Sequence, residues 1–131
     1  MAITSLSGAP IFGDGGYQMT IQELGTIFQT KAAVKIVVLN NEFLGMVRQW
    51  QQLFFDKRYA STEMVNPDFV TIAKGYHIEA NRVTKRATLR ESIEEMIACK
   101  DSYFLEVCVE KENNVFPMIP TGASVSEIRL S

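Results

Sequence analysis

A single carboxylate stands among glycines in the stretch IFGDGGYQM, residues 11–19. Asp14 has Gly13 on one side and Gly15 and Gly16 on the other. Glycine has no side-chain wall, so the backbone N–H groups of this stretch can approach a bulky anion closely. A carboxylate repels such an anion unless a cation lies between them. The stretch therefore indicates an anion site only if the chain also supplies a cation site.

Two asparagines, Asn40 and Asn41, supply candidate oxygens for that cation, and Asn41 lies 27 residues after Asp14. They follow the apolar run VKIVVL, which is typical of a strand buried on both faces of a parallel sheet. Ligands of such sheets lie beyond the carboxyl ends of the strands. Mg²⁺ is commonly held by one or two protein oxygens together with substrate phosphates. We therefore predict that the Asp14 carboxylate and the Asn41 amide oxygen hold a Mg²⁺ ion that phosphates share.

Each of the two motifs also has an ordinary structural interpretation. A Gly-Asp-Gly sequence is common in tight turns, and asparagines after a strand are usually turn or cap residues. The pair at this separation, with a predicted helix and a buried strand between, favours the metal interpretation. The predicted helix after the glycines would add its N-terminus to the phosphate site.

Four helices are predicted along the chain. Two of them begin with capping-box spacing, Thr20 with Glu23 and Thr88 with Glu91. A third is predicted to have Asn66 as its N-cap residue, with proline in the first turn. The predicted helices cover residues 19–31, 43–55, 66–76 and 88–100.

Predicted strands alternate with these helices, and the economical arrangement is an α/β fold with a parallel sheet and helices on both faces. The strand expected before Gly13 has only residues 10–12 to form it. The tail over residues 114–131 is typical of a surface segment that lies against another part of a protein. We therefore expect residues 1–131 to form an incomplete domain whose first strand is short or missing. The three longer predicted strands cover residues 34–40, 77–83 and 102–110.

The composition excludes several classes of protein. The 131 residues include 47% hydrophobic and 21% charged residues, with a net charge of −2, so no basic footprint for nucleic acid exists. No apolar run is long enough to span a membrane, and residues 1–12 do not resemble a signal peptide. A cytoplasmic protein is expected. Cys99 and Cys108 are interpreted as buried structural thiols, and the basic run RVTKR, residues 82–86, as a solvated turn.

Several stretches resemble one enzyme family. The cofactor motif of thiamine-diphosphate enzymes consists of GDG, a spacer of similar length to the one here, and then NN. More specifically, the chain resembles the C-terminal diphosphate-binding domain of the catalytic subunit of acetolactate synthase, also called acetohydroxyacid synthase. The resemblance covers nearly the whole chain from Gly13 onward, whereas the preceding residues do not follow the family. The segments that carry it are GDGGYQMTIQEL, VKIVVLNNEFLGMVRQWQ, NPDFVTIAKGY and FPMIPTGAS.

The resemblance implies a set of site residues. The Mg²⁺ ligands would be the side chains of Asp14 and Asn41 and the backbone carbonyl of Phe43. Trp50 would line the pocket of the second substrate. For Met19, Met46 and Trp50, ordinary core packing is the alternative. The implied cofactor-binding residues are Gly13, Asp14, Gly15, Gly16, Met19, Asn41, Phe43, Gly45 and Met46.

The resemblance also implies a reaction, the decarboxylation of pyruvate and transfer of the hydroxyethyl group to a second 2-ketoacid. The product would be acetolactate or acetohydroxybutyrate, in branched-chain amino-acid biosynthesis. In the family, the glutamate that activates the cofactor comes from another domain of a partner subunit, and neither Glu23 nor Glu42 matches it. No catalytic residue is therefore assigned here, and the chain alone is expected to be inactive. The FAD site of the full-length enzyme would lie outside this chain, and the implied partners are the remaining domains, a second catalytic subunit and a regulatory subunit.

Three alternatives stay open at this point. The first is a sibling enzyme of the pyruvate oxidase or glyoxylate carboligase type, against which Trp50 and the sequence GMVRQWQ favour acetolactate synthase. The second is a non-catalytic module that self-associates through strand edges and apolar patches. The third is a Rossmann-like nucleotide-binding domain, which Gln18 disfavours because it occupies the position of the third glycine of G-x-G-x-x-G.

Overall fold

A four-stranded parallel sheet with the order β1-β2-β4-β3 organises the chain in the computed structural model, which describes residues 8–130. The predicted α/β class is thereby confirmed. The strand before the glycines has three residues in the part of the chain that the structure describes. The strands are β1 (Ile11–Gly13), β2 (Lys35–Asn40), β3 (Glu79–Val83) and β4 (Tyr103–Cys108).

Five helices connect and follow these strands in the described residues. They are α1 (Asp14–Gln18), α2 (Glu23–Thr30), α3 (Gly45–Phe54), α4 (Phe69–Gly75) and α5 (Arg86–Ala98), and a short 3₁₀ helix covers Val125–Glu127.

The first predicted helix is wrong at its start. The chain turns helical at Asp14, within the glycines, and the segment predicted over 19–31 contains only α2. Thr20 does not cap a helix, because its hydroxyl donates to the Tyr17 carbonyl at 3.4 Å in the turn between α1 and α2. Glycine is a weak helix former, so local propensity did not indicate α1.

Two other predicted caps are also wrong. Asp68, not Asn66, caps α4, since its carboxylate accepts from the Thr71 amide at 3.3 Å and from the Thr71 hydroxyl at 2.7 Å. Thr88 lies inside α5, which begins after Lys85 without a side-chain cap. The Asn66 side chain does not cap α4, because its amide donates to Asp14 and Asn40, two residues of the site described below.

One face of the sheet, here called the closed face, carries the larger apolar cluster. Side chains of α1, α2 and α4 cover it, and Val38 of β2, Phe104 of β4 and Phe69 of α4 are completely buried. Tyr17 lies between two aromatic neighbours, with ring centroids 5.2 Å from both Phe69 and Phe104. The sheet and its helices are therefore joined mainly through this face.

The opposite face, here called the open face, is covered by α5 over β3 and β4. Met96 of α5 packs with Tyr103 and Leu105 of β4. On the β1 and β2 side of this face, Ile11 is 66% exposed and Leu39 40% exposed. The prediction of helices on both faces is confirmed, but coverage of the open face is partial.

The expectation of buried cysteine thiols is wrong for one of the two residues. Cys108 is exposed at the end of β4, so its interpretation as a buried thiol is wrong, while Cys99 is partly buried after α5 and both thiols are free.

Lys35, the charged residue in the apolar run, is 7% exposed. Its ammonium donates to the carbonyls of Cys99, at 2.7 Å, and Asp101. The buried lysine is accommodated because two carbonyls of the segment that follows α5 accept its hydrogen bonds.

The C-terminal tail lies on the surface, as predicted. Gln49 of α3 is 1% exposed and holds the tail by accepting from the Val115 amide at 2.8 Å and donating to its carbonyl at 2.9 Å. Further along, Met118 and Arg129 exchange two backbone hydrogen bonds of 2.9 and 2.8 Å. Within residues 8–130, none of the helices is both long and apolar enough to cross a bilayer.

Candidate functional site

The predicted metal-binding residues meet at the carboxyl ends of β1 and β2. These strands lie side by side with Gly13 opposite Leu39, so Asp14 and the segment that follows Asn40 leave the sheet together. A cleft of about 420 Å³ opens between them. Its lining residues are Gly13, Asp14, Gly15, Gly16, Leu39, Asn41, Phe43, Leu44, Gly45, Met46, Val47 and Val109.

Asp14 is fixed to the loop after β2 by hydrogen bonds. The side chain is only 2% exposed, and its Oδ2 accepts from the Glu42 amide at 2.9 Å and from Asn66 Nδ2 at 2.7 Å. Glu42 lies between Asn41 and Phe43, so the carboxylate is attached at the centre of the predicted ligand segment. Among the described residues, none donates to the other oxygen, Oδ1. One oxygen of Asp14 is thus used by the protein and the second is available for a ligand.

The loop after β2 is held in a defined conformation. Glu42 has a φ of 56°, in the left-handed region, and the Asn41 side chain accepts from the Phe43 amide at 3.2 Å. Phe43 also forms a bridge with Glu63, made by hydrogen bonds of 2.8 Å from the Leu44 amide to Thr62 and from the Met64 amide to Glu42. That bridge uses neither the amide nor the carbonyl of Phe43, so the carbonyl is left out of it.

Two glycines of the cleft lie close to neighbouring side chains, and two border open space. A Cβ added to Gly15 would lie 2.9 Å from Cδ2 of Leu44, and one added to Gly45 would lie 3.2 Å from Nδ2 of Asn41. A Cβ added to Gly13 or Gly16 would meet nothing within 4 Å. Gly15 therefore lets α1 approach Leu44 closely, Gly45 lets the start of α3 approach Asn41, and Gly13 and Gly16 leave space beside the backbone.

The structure separates the three apolar residues that the resemblance singled out. Met46 lines the cleft and is 55% exposed, whereas Met19 is 74% exposed and is not among the lining residues. Trp50 lies on α3 against Phe54, with ring centroids 4.8 Å apart, and also does not line the cleft. Core packing is wrong for both methionines. Roles near a cofactor or substrate stay predictions for all three residues.

Residue-level sequence reasoning missed a polar network on the closed face behind the cleft. Glu106 of β4 is 1% exposed and accepts from Asn40 Nδ2 at 2.7 Å and from Arg82 Nε at 2.6 Å. Asn40 Oδ1 in turn accepts from Asn66 Nδ2 at 3.0 Å. The signal was present, because a carboxylate in the apolar strand of FLEVC is buried only when it is paired. The interpretation of Arg82 as part of a solvated turn is wrong.

Hydrogen bonds and burial shift the pKa values of three groups in and beside this network. The hydrogen bond to Glu106 raises the pKa of Arg82, and that arginine also pairs with Asp68 at 2.8 Å. The pKa of Asp68 is lowered, first by its hydrogen bond to the Thr71 hydroxyl. Burial, and then the charge of Glu106, raise the pKa of Cys108. Glu106 and Asp68 thus share the cation Arg82, which joins β4, β3 and the start of α4.

With this geometry in hand, comparison with known proteins identifies the family. Residues 9–107 match the model of the thiamine pyrophosphate enzyme, C-terminal TPP binding domain. The chain therefore belongs to this family of TPP-binding domains. In agreement, the crystal structure of benzoylformate decarboxylase from Polynucleobacter necessarius superposes with a TM-score of 0.74 at 25% identity, covering 82% of this chain and 20% of that chain.

Among curated proteins, the chain is similar to acetolactate synthases, which confirms the resemblance predicted from the motifs. It is 42% identical over 119 residues to the acetolactate synthase isozyme 2 large subunit of Escherichia coli, covering 90% of this chain and 22% of that protein. It is 43% identical over 120 residues to the acetolactate synthase large subunit of Cyanidium caldarium, covering 90% of this chain and 20% of that protein. The chain thus spans about a fifth of the length of the curated relatives it matches.

Proposed function

We propose that this chain supplies the Mg²⁺ and diphosphate half-site of an acetolactate synthase type of enzyme. The observation that carries the proposal is the attachment of Asp14 to Glu42, between Asn41 and Phe43, in a member of a TPP-binding family. The substrates would be pyruvate and a second 2-ketoacid. The product would be acetolactate or acetohydroxybutyrate.

The groups at the cleft fit a Mg²⁺ ion that is shared with a diphosphate. Asp14 offers the free oxygen Oδ1, Asn41 offers the second lone pair of its amide oxygen, and Phe43 offers its carbonyl. All three are hard oxygen donors, which Mg²⁺ prefers. They are too few to complete an octahedron, so phosphate oxygens and water would supply the remaining ligands.

Each residue has a proposed part in the chemistry. When bound, thiamine diphosphate supplies the electron sink for decarboxylation of the ketoacid. Asp14 and Asn41 would fix the position of the metal, and the amides beside Gly15 and Gly16 would bind the diphosphate. Met46, in the wall of the cleft, and Met19 are proposed near the cofactor, and Trp50 near the second substrate.

The rest of the active site is proposed to come from elsewhere. The activating glutamate would belong to another domain of a second catalytic subunit, and a FAD site would also lie outside this chain. We further propose a regulatory subunit as a partner and the cytoplasm as the compartment. The domain boundary 1–131, with a short first strand, stays a prediction in this proposal.

Calorimetric titration of this chain with thiamine diphosphate, with and without Mg²⁺, tests the half-site. Asp14→Ala is expected to weaken Mg²⁺-dependent binding by more than roughly 100-fold, because even residues that only support metal ligands cost about 10–100-fold. Asp101→Ala removes an exposed carboxylate away from the cleft and serves as the matched control, with unchanged binding expected. Equal binding by Asp14→Ala, or folded wild-type chain that shows no Mg²⁺-dependent binding, would contradict the proposal.

A second experiment concerns the missing half of the active site. Incubation of the chain with pyruvate, Mg²⁺ and thiamine diphosphate is expected to yield no acetolactate, since the activating group is absent. Steady acetolactate formation by this chain alone would overturn that part of the proposal. Light scattering after size-exclusion chromatography addresses the self-associating alternative, because a clean monomer counts against it.

A further inference from the structure

We propose that Glu106 is a positioning residue for the metal site and acts by fixing the orientation of the Asn40 amide. This inference rests on the proposed function, and it assigns a role to a side chain that lies outside the cleft lining. Glu106 is connected to Asp14 through two asparagines, Asn40 and Asn66. The three hydrogen bonds of this connection measure 2.7, 3.0 and 2.7 Å.

The first step is set by the chemistry of a carboxylate. An ionised glutamate only accepts hydrogen bonds, so Asn40 must direct Nδ2 at it, and the two atoms lie 2.7 Å apart. Arg82 donates to the second oxygen of Glu106 at 2.6 Å and forms an ion pair with that buried carboxylate. With Nδ2 directed at Glu106, the oxygen Oδ1 of Asn40 must point toward the loop after β2.

The second step shows why that orientation matters. Oδ1 of Asn40 accepts from the Glu42 amide at 3.1 Å and from Asn66 Nδ2 at 3.0 Å. Both partners are donors, so a flipped Asn40 amide would place its NH₂ group against two other donors. The acceptor on β4 therefore determines which end of Asn40 faces the ligand segment.

The third step reaches the metal ligand. Asn66 Nδ2 bridges Asn40 Oδ1 and Asp14 Oδ2, and the Glu42 amide is shared between the same two oxygens. Asp14 Oδ2 is consequently occupied by two donors, and Oδ1 is left for the cleft that Asp14 lines. The amide oxygen of Asn66, Oδ1, is buried and has no hydrogen-bond partner among the described residues. The orientation of Asn66 thus depends on its two acceptors rather than on its own oxygen.

Exchange of the donor and the acceptor in the hydrogen bond between Asn40 and Glu106 tests the proposal. In Glu106→Gln, the amide can direct Nε2 at Asn40, which favours the flipped Asn40. In Asn40→Asp, two buried carboxylates face each other at the position of a 2.7 Å contact. The double variant Asn40→Asp/Glu106→Gln conserves charge and restores every bond, because the new amide on β4 donates to the new carboxylate on β2 and still accepts from Arg82. Ser92→Ala, on α5 at the open face, is the matched control for loss of a buried polar group.

Two measurements follow the swap. The first is hydrogen exchange of the Glu42 amide by NMR in the chain without ligands, where both single variants should lose protection and the double variant should regain it. The second is the affinity for Mg²⁺ at a fixed thiamine diphosphate concentration. Each single variant is expected to weaken it about 10–100-fold, and the double variant to recover at least about tenfold. Ser92→Ala should leave both readouts unchanged.

The outcomes separate this inference from the proposed function. Rescue by the double variant in the amide readout supports positioning by Glu106, since a generally destabilised fold would not recover when a second buried residue is changed. Single variants with wild-type protection, or a double variant no better than the single ones, would overturn it. If the wild-type chain binds no Mg²⁺ with thiamine diphosphate, the proposed function fails. Hydrogen exchange of the Glu42 amide still shows in that case whether Glu106 orders the loop after β2.

Discussion

The closed and open faces of the sheet differ in how completely their helices cover them. Along β2, Val38 points into the closed face and is completely buried, while its neighbour Leu39 points to the open face and is 40% exposed. Ile11, beside β2 on the open face, is 66% exposed. Consecutive residues of a strand point to opposite faces, so this difference arises within one strand.

The candidate site depends mainly on the closed face. The network of Glu106, Asn40 and Arg82 lies on the closed face, directly beyond Phe104 along β4, and Glu106 and Asn40 are buried. Hydrogen bonds and ion pairs are stronger in such surroundings than in water. The closed face therefore both stabilises the fold and holds the ligand segment, whereas the β1 and β2 side of the open face is less buried.

The largest effect is expected from core truncation on the closed face. Phe104→Ala removes a fully buried ring and should lower the free energy of unfolding by about 3–5 kcal/mol. Leu39→Ala on the open face, already partly exposed, should cost about 1 kcal/mol or less. Urea denaturation of the two variants measures the difference. Equal losses would show that the two faces contribute equally to stability.

A smaller version of the same contrast exists between two glycines of the cleft. Gly15→Ala forces Leu44 and Met64 to shift, so we expect a net loss of about 1 kcal/mol in unfolding free energy. Gly16→Ala meets nothing within 4 Å and should gain about 0.5–1 kcal/mol, because alanine favours the helix α1. The same Gly16 variant should bind thiamine diphosphate with Mg²⁺ more weakly, since its methyl group occupies space beside the amides.

Thermal denaturation and calorimetric titration of this matched pair give the two readouts. A stabilised Gly16→Ala variant that binds as tightly as the wild-type chain would show that the open space beside Gly16 is not used by the ligand. A Gly15→Ala variant as stable as the wild-type chain would show that Leu44 and Met64 move without cost.

The sequence predicts those features that follow from short-range patterns. The apolar runs indicate β2 and β4 to within two residues of their ends, and the order of strand and helix places Asp14 and Asn41 at one edge of the sheet. The partners of Asn66 were not predictable in this way. They lie 52 and 26 residues earlier in the chain, and a local pattern favours Asn66 as a helix cap.

The start of α1 was missed for a related reason. Glycines next to Asp14 disfavour a helix by propensity, whereas the close approach of Leu44 and Met64 to Gly15, which leaves little space for a Cβ there, is a long-range contact that no local pattern indicates. Glu106 is an intermediate case. A charged residue in an apolar strand indicates a buried pair, but its partner Arg82 lies in a strand whose position beside β4 is known only from the sheet order.

The smallest effect is expected from removal of an unpaired polar group in the closed face. The Tyr17 hydroxyl is buried and has no hydrogen-bond partner among the described residues, and burial, followed by the charge of Glu106, raises the pKa of Tyr17. Tyr17→Phe removes this unpaired group, so the free energy of unfolding at neutral pH should rise by about 0.5–1 kcal/mol. Tyr59→Phe, at an exposed ring, is the matched control, with no change expected.

The pH dependence sharpens this last prediction. Because the pKa of Tyr17 is higher in the folded chain than in the unfolded chain, the folded state retains its proton while the unfolded state loses it above a pH of about 10. The wild-type chain therefore loses stability as the pH rises beyond that value, and Tyr17→Phe lacks this loss. Urea denaturation at neutral pH and near pH 10.5 should show a larger advantage of the variant at the higher pH. A variant less stable than the wild-type chain at both pH values would mean that the Tyr17 hydroxyl makes a hydrogen bond, for example to a buried water. The closed face would then contain no unpaired hydroxyl at this position.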